Sequence, residues 1–218
     1  MNFLKKLLGF SDVSQNEESK PIDKSFWEMH HESKDHYWLT GSTLSDIMRF
    51  HSLTPDDLKN KKILEVGVGK GNLILELKEY SEQIICCDIS ESALEKVKPY
   101  AIKTYLSPEL NNIEPVDFAL CHLVFQHCTN DEIERIIRDV NLNDDGVFSF
   151  QFAFLRKTDP PNKMVRSLIK SGSHHFRSFE EVEEMVSRSN KQIVSVSKPF
   201  DFYKPENFSW LIVKVKNN

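Results

Sequence analysis

The sequence predicts an open α/β sheet, doubly wound, with helices on both faces. Three observations predict it. From Lys62 onward, apolar runs of strand length alternate with segments of helical apolar spacing. Between the first run, Ile63 to Val66, and the helix that follows stand three glycines, Gly67, Gly69 and Gly71. The second run, Ile84 to Cys87, closes on an acid, Asp88. A strand that turns through glycines into a helix leaves backbone N–H groups facing one space. An acid at the end of the next strand can accept hydrogen bonds from ribose hydroxyls. Together they form the nucleoside-binding half of a doubly wound sheet.

The spacing narrows the choice of nucleoside. The dinucleotide pattern G-x-G-x-x-G fails in both frames, because its last position falls on Asn72 or on Ile74. The phosphate-loop pattern fails as well, since Lys70 is followed by Gly71. What stands here is E-x-G-x-G-x-G, with Glu65 two residues before Gly67. An acid at the strand end suits a ligand with a cationic group and does not suit a pyrophosphate. The competing reading is a glycine turn that binds nothing.

E-V-G-V-G-K-G followed by C-D-I-S resembles the first two motifs of the class I S-adenosylmethionine-dependent methyltransferases. The resemblance runs from about Leu58 to Lys216. It implies a Rossmann-like, seven-stranded, mostly parallel sheet with an antiparallel last strand, and S-adenosylmethionine as the cofactor. In that family the glycine loop, here Gly67, Gly69 and Gly71, passes under the nucleoside and the methionine part. Asp88, with Ile89 beside it, holds the ribose, and Glu65 helps position the methionine end. The family commonly carries an adenine-binding acid after strand three. Here Leu106, Ser107, Pro108 and Glu109 occupy that place, so Ser107 or a backbone group is the substitute.

The chain has 218 residues, 39% hydrophobic and 28% charged, with a net charge of -5. That balance fits one globular domain with a substantial core. Lysines and acids are interspersed, which disfavours nucleic acid as a partner. No apolar run is long enough to span a bilayer. Cys86, Cys87, Cys121 and Cys128 show no paired-ligand or secreted spacing; they read as buried small hydrophobes in a cytoplasmic protein. Oligomeric state has no signature.

Along the chain, residues 1–23 read as a flexible segment, and 24–218 as a single domain. Within it, 24–57 supplies two cap helices, the second capped by Ser42 with Leu44, Ile47, Met48 and His51 on one face. Tyr37 and Trp38, between the helices, are candidate walls of an acceptor pocket; core packing is the alternative. Ser90 caps the helix after Asp88, and Asn130 caps a later one. Asn143 to Gly146 reads as a turn before strand five, Val147 to Ala153, where Phe148, Phe150 and Phe152 alternate with Ser149 and Gln151. That alternation predicts one face more apolar than the other. Residues 154–177 exceed a simple connection and read as an acceptor lid, with His174, His175 and Arg177 facing the acceptor or lying on a surface loop. Ser178 and Glu181 form a capping box.

Ligands of such sheets bind beyond the carboxyl ends of the strands. L-V-F-Q-H, after strand four, resembles a variant found in small-molecule methyltransferases. It makes His127 the first candidate for base or acceptor orientation and His122 the second, with His122 also beside the cofactor. A metal site at His30, His31 and Asp35 lacks an established ligand spacing, so no metal is assigned. The function implied is methyl transfer from S-adenosylmethionine to an oxygen or nitrogen of a small molecule. The alternatives are an NAD-dependent oxidoreductase and a non-catalytic regulator that binds the cofactor.

Overall fold

Seven strands form one sheet in the order β3-β2-β1-β4-β5-β7-β6. The computed structural model describes residues 24–32, 43–155, 163–171, 174–200 and 208–218. Residues 1–23, and the predicted wall residues Tyr37 and Trp38, lie outside them, as do Ser42 and part of the lid segment. The strands are β1 (Ile63–Val66), β2 (Ile84–Asp88), β3 (Lys103–Leu106), β4 (Val116–Cys121), β5 (Leu142–Leu155), β6 (Lys191–Val196) and β7 (Phe208–Asn217). β1 to β5 run parallel, and β7 pairs antiparallel with both β5 and β6. This is the expected sheet, antiparallel strand included.

The helices are α1 (Lys24–Glu32), α2 (Leu44–Phe50), α3 (Pro55–Leu58), α4 (Asn72–Leu77), α5 (Glu91–Val97), α6 (Asn130–Asp139), α7 (Lys163–Lys170) and α8 (Phe179–Arg188). Successive strand side chains point to opposite faces, so each face builds its own core, with a smaller cluster of Ala153, Phe176 and Trp210 besides. Leu64, Val66, Ile85 and Ala119 bury against α6 and α8 residues such as Ile133, Ile137 and Val182. Ile63, Ile84, Cys86 and Leu120 bury against α2, α4 and α5 residues such as Ile47, Ile74 and Leu94. Cys86, Cys87 and Cys121 are buried in strands, as expected. Among the described residues no helix is long and apolar enough to cross a membrane.

Three local expectations need correction. α2 is capped by Thr43, whose hydroxyl accepts from the Asp46 N–H. α6 is capped by Thr129, not Asn130. Thr129 is extended and forms a capping box with Glu132, while Asn130 turns its side-chain oxygen to Arg177. The turn at Asn143 to Gly146 is an excursion within β5. From Val116↔Leu142 to Phe118↔Val147 the chain advances two residues in β4 and five in β5. Asn143 then donates to Asp117 across the bulge at 2.7 Å.

The polar face predicted for β5 is also buried. Phe148, Phe150 and Phe152 are sealed from solvent, but so are Ser149 and Gln151. A central strand covered by helices on both sides has no solvent face, so its polar residues must find interior roles.

Thr129→Ala should lower the unfolding free energy by about 1 kcal/mol in urea titrations, the usual cost of losing a hydroxyl cap.

Candidate active site

β1 carries the chain to the carboxyl edge and the glycine loop turns it back into α4. Gly67, Gly69 and Gly71 all lie at positive φ, 82°, 53° and 78°. A Cβ on Gly67 would stand 2.2 Å from Val124 Cγ2, so the loop packs directly on the segment after β4. Around Gly69 nothing lies within 4 Å of the Cβ position, so a ligand can approach that backbone. Asp88, buried at the end of β2, ties loop to helix. Its carboxylate accepts from the Gly69 N–H at 3.2 Å and from the Ser90 N–H at 2.9 Å. Ser90 caps α5 through the Ala93 N–H.

Glu65 is the second acid of this floor. It is 5% exposed and one carboxylate oxygen, Oε2, has no hydrogen-bond partner. Burial, with the Asp88 charge added, raises its carboxyl to about 8. Burial also raises Asp88, against hydrogen bonds from Ser90 and Gly69. Both acids border a cavity of about 640 Å³, within the roughly 300–1,000 Å³ of ligand sites. Ile89 and Ser107 border it too. Arg135 fixes Ser107 by donating to its carbonyl at 2.8 Å and to its hydroxyl at 3.0 Å.

The far wall comes from α1, the segment after β4, and the lid. Glu28 docks α1 on the start of α5: its carboxylate accepts from the Glu91 N–H at 2.6 Å and the Ser92 hydroxyl at 2.6 Å. Burial works against this carboxylate, but hydrogen bonds from Ser92, Glu91 and Ser90 hold it down at about 2. Lys96 adds a bond to the His31 carbonyl. The docked helix sets Trp27 over the cavity, its ring 5.0 Å from His127 and 5.9 Å from His31. His174 continues the row, 4.9 Å from His127. Beyond β4, Leu123 adopts φ 57°, costing about 1–3 kcal/mol for such a side chain. That bend faces His122 into the cavity wall and brings the Leu123 carbonyl to Gln126 Nε2 at 2.7 Å.

Residues 63–142 match the family model described as a methyltransferase domain. Over that stretch the chain is similar to the methyltransferase domain family. Solved structures of the same fold are distant in sequence. Phospholethanolamine N-methyltransferase 2 from Haemonchus contortus has TM-score 0.63 at 12% identity, over 90% of this chain and 61% of that one. The N-methyltransferase NodS from Bradyrhizobium japonicum WM9 has TM-score 0.60 at 13% identity, over 89% and 97%. Magnesium protoporphyrin IX methyltransferase from Synechocystis PCC 6803 has TM-score 0.54 at 13% identity, over 100% and 93%.

In this structure the cavity gathers Glu65, Gly67, Gly69, Asp88, Ile89, Ser107, His122, His127 and His174. Gly71 serves differently, as the left-handed N-cap of α4 packed on Val97. Arg177 does not face the cavity. It is buried, and its guanidinium donates to Asn130 Oδ1 at 2.7 Å, to the Phe125 carbonyl at 3.0 Å and to the Cys128 carbonyl. Burial lowers it to about 10, so it stays charged at neutral pH and braces the segment carrying His127. His175 is also outside the wall; its backbone N–H donates to the Gln126 carbonyl at 2.7 Å.

Sequence reading missed Trp27, His31, Gln126 and Trp210 as lining residues, and His51 behind them. The apolar face shared by Ile47 and His51 was the available signal for the last. Among the described residues no group of three or more potential ligands is placed to hold a metal ion.

The raised Glu65 carboxyl makes stability pH-dependent. Unfolded, it titrates near 4.5; folded, near 8. Between those values the folded state binds the extra proton, so stability falls as pH rises. Relative to Glu65→Gln, the wild type should lose about 1.4 kcal/mol per pH unit across that window in urea titrations. Parallel curves would refute the buried, unpaired acid.

Proposed function

We propose that this protein is an S-adenosylmethionine-dependent methyltransferase that acts on a small-molecule acceptor, at an oxygen or nitrogen atom, held between the glycine loop and α1. One observation carries the reading: a single cavity joins Gly69, Asp88 and Glu65 to a wall of rings and imidazoles under α1. A cavity of that size suits a small acceptor better than a polymer chain. The N-methyltransferase solved with phosphomonomethylethanolamine is a protein of this fold with a small acceptor bound.

The residues present fit the cofactor. The unpartnered Oε2 of Glu65 suits an ammonium, and Asp88 suits two ribose hydroxyls. The open face of Gly69 leaves room for the nucleoside. Ser107, pinned by Arg135, offers a hydroxyl where the family's adenine acid is missing. When bound, S-adenosylmethionine supplies an electrophilic methyl group on a sulfonium.

The chain's own contribution is alignment and exclusion of water. Trp27 and His174 flank His127 and hold its ring. The Gln126 amide group donates to the Leu123 carbonyl, which fixes its orientation, and the same nitrogen lies 3.0 Å from His127 Nε2. His127 Nε2 therefore accepts, and the neutral ring carries its proton on Nδ1. His127 fits the orienting role better than that of a base, because protonation at Nε2 would set two donors together. His122, which also lines the cavity, is the second candidate for contact with the acceptor.

Calorimetric titration with S-adenosylhomocysteine and, separately, NAD tests the reading. S-adenosylhomocysteine should bind saturably, and Asp88→Ala should weaken it about 10- to 150-fold, the loss of a charged hydrogen-bond partner. Near pH 7 binding should release protons from Glu65, seen as heats that vary with buffer ionisation and vanish in Glu65→Gln. Binding of NAD alone would overturn the proposal.

A further inference from the structure

Behind the cavity wall lies a chain of polar side chains that the cofactor cradle does not use. His51 closes α2: its backbone N–H bonds the Ile47 carbonyl at 2.8 Å, and its ring is fully buried. His51 Nε2 lies 3.1 Å from His122 Nδ1, and His51 Nδ1 lies 2.7 Å from the Ser149 hydroxyl. Ser149 sits on β5 opposite Leu120 of β4, also fully buried. Among the described residues His51 is the only hydrogen-bond partner of the Ser149 hydroxyl. His122 alone of the three lines the cavity.

Each of the two contacts holds one proton, which leaves two arrangements for neutral rings. In one, His122 Nδ1–H donates to His51 Nε2, and His51 Nδ1–H donates to Ser149. The hydroxyl hydrogen of Ser149 is then buried with no acceptor. In the other, Ser149 donates to His51 Nδ1, and His51 Nε2–H donates to His122 Nδ1. Every polar hydrogen inside the chain is then satisfied. Leaving a buried donor unmade disfavours the first arrangement by roughly tenfold or more. The surroundings keep both rings neutral. Burial lowers His122 to about 4, although Asp46 of α2 pulls the other way. Burial lowers His51 well below its usual range, helped by His122 and by Lys214 of β7.

We propose that His51 is a positioning residue: Ser149 sets its tautomer, and His51 in turn holds His122 with its proton on Nε2. His122 then meets a cavity ligand as a hydrogen-bond donor, not as a base. This rests on the methyl-transfer reading of the cavity. It favours an acceptor that presents an oxygen lone pair, such as a carbonyl, carboxylate or phenolate, beside the atom that receives the methyl group. Nδ1 of His122 is turned to His51, so ligand contact goes through Nε2.

Two-bond proton–nitrogen NMR correlations of the full chain, labelled at histidine, test this at pH 7. His51 and His122 should both show a proton on Nε2 and a lone pair on Nδ1. A proton on Nδ1 of His122, or a charged ring, would falsify the proposal. In Ser149→Ala and in His51→Leu the His122 ring should become a tautomer mixture. In His51→Gln, whose amide can donate to Nδ1, the single tautomer should return. Methyl label passed from S-adenosylmethionine to the small-molecule fraction of a cell extract should fall about tenfold or more in His51→Leu and recover in His51→Gln. Equal losses in both variants overturn the positioning role. The wild-type spectrum decides the proton arrangement even where a variant does not fold. Absence of S-adenosylhomocysteine binding strikes the methyl-transfer reading and leaves the proton arrangement to be judged on its own spectrum.

Discussion

The carboxylate of Asp88 is the interaction on which the site depends. It is a buried acid at a strand end, held by two backbone N–H groups from different elements. One belongs to the glycine loop and the other to the start of α5, so loop, strand and helix take one fixed arrangement. α1 then docks on the same helix start through Glu28. The helix over the cavity and the acid at its floor are thus anchored to a single turn of backbone. Charge-assisted bonds to N–H groups are stronger than neutral ones, which suits a junction carrying this much of the geometry.

The floor is electrostatically unusual. Two acids are buried close together; His31 stands near enough for its charge to favour the Asp88 carboxylate, but no cationic side chain is hydrogen-bonded to either acid among the described residues. Such an arrangement is unfavourable in the empty protein, since burial disfavours the charged forms. It becomes favourable when a cationic ligand enters. Arg177 shows the opposite solution. It is also buried, but the carbonyls of Phe125, Cys128 and His175 surround it, and its charge stabilises backbone instead of ligand.

How much of this was legible in the sequence follows from the range of each interaction. The Ser90 and Ser178 caps were readable because their partners lie within a few residues, and the glycine loop and Asp88 because each closes its own apolar run. So was the sheet, because buried parallel strands leave continuous apolar runs. Thr129 was misread as Asn130 for a local reason: adjacent residues both have capping side chains, and the deciding partner, Arg177, lies 47 residues away. The link between His51 and Ser149 spans 98 residues and depends on sheet order, which no pattern in either segment encodes. Arg177 looked like an acceptor ligand because a charged residue in a loop is usually exposed. Burial is a property of the fold, and it reversed that reading.

β7 is the last of the seven strands in sequence, yet it is not at the edge; it lies between β5 and β6. Until it is in place, β5 has only β4 beside it, and its far side is an open row of unpaired N–H and carbonyl groups flanked by phenylalanines. Open edges of that kind recruit other strands. During synthesis, then, the chain carries this open edge until β7 has been added. β7 acts as a zip, and the vulnerable interval for this protein is on the ribosome, before the fold has any cavity to fill.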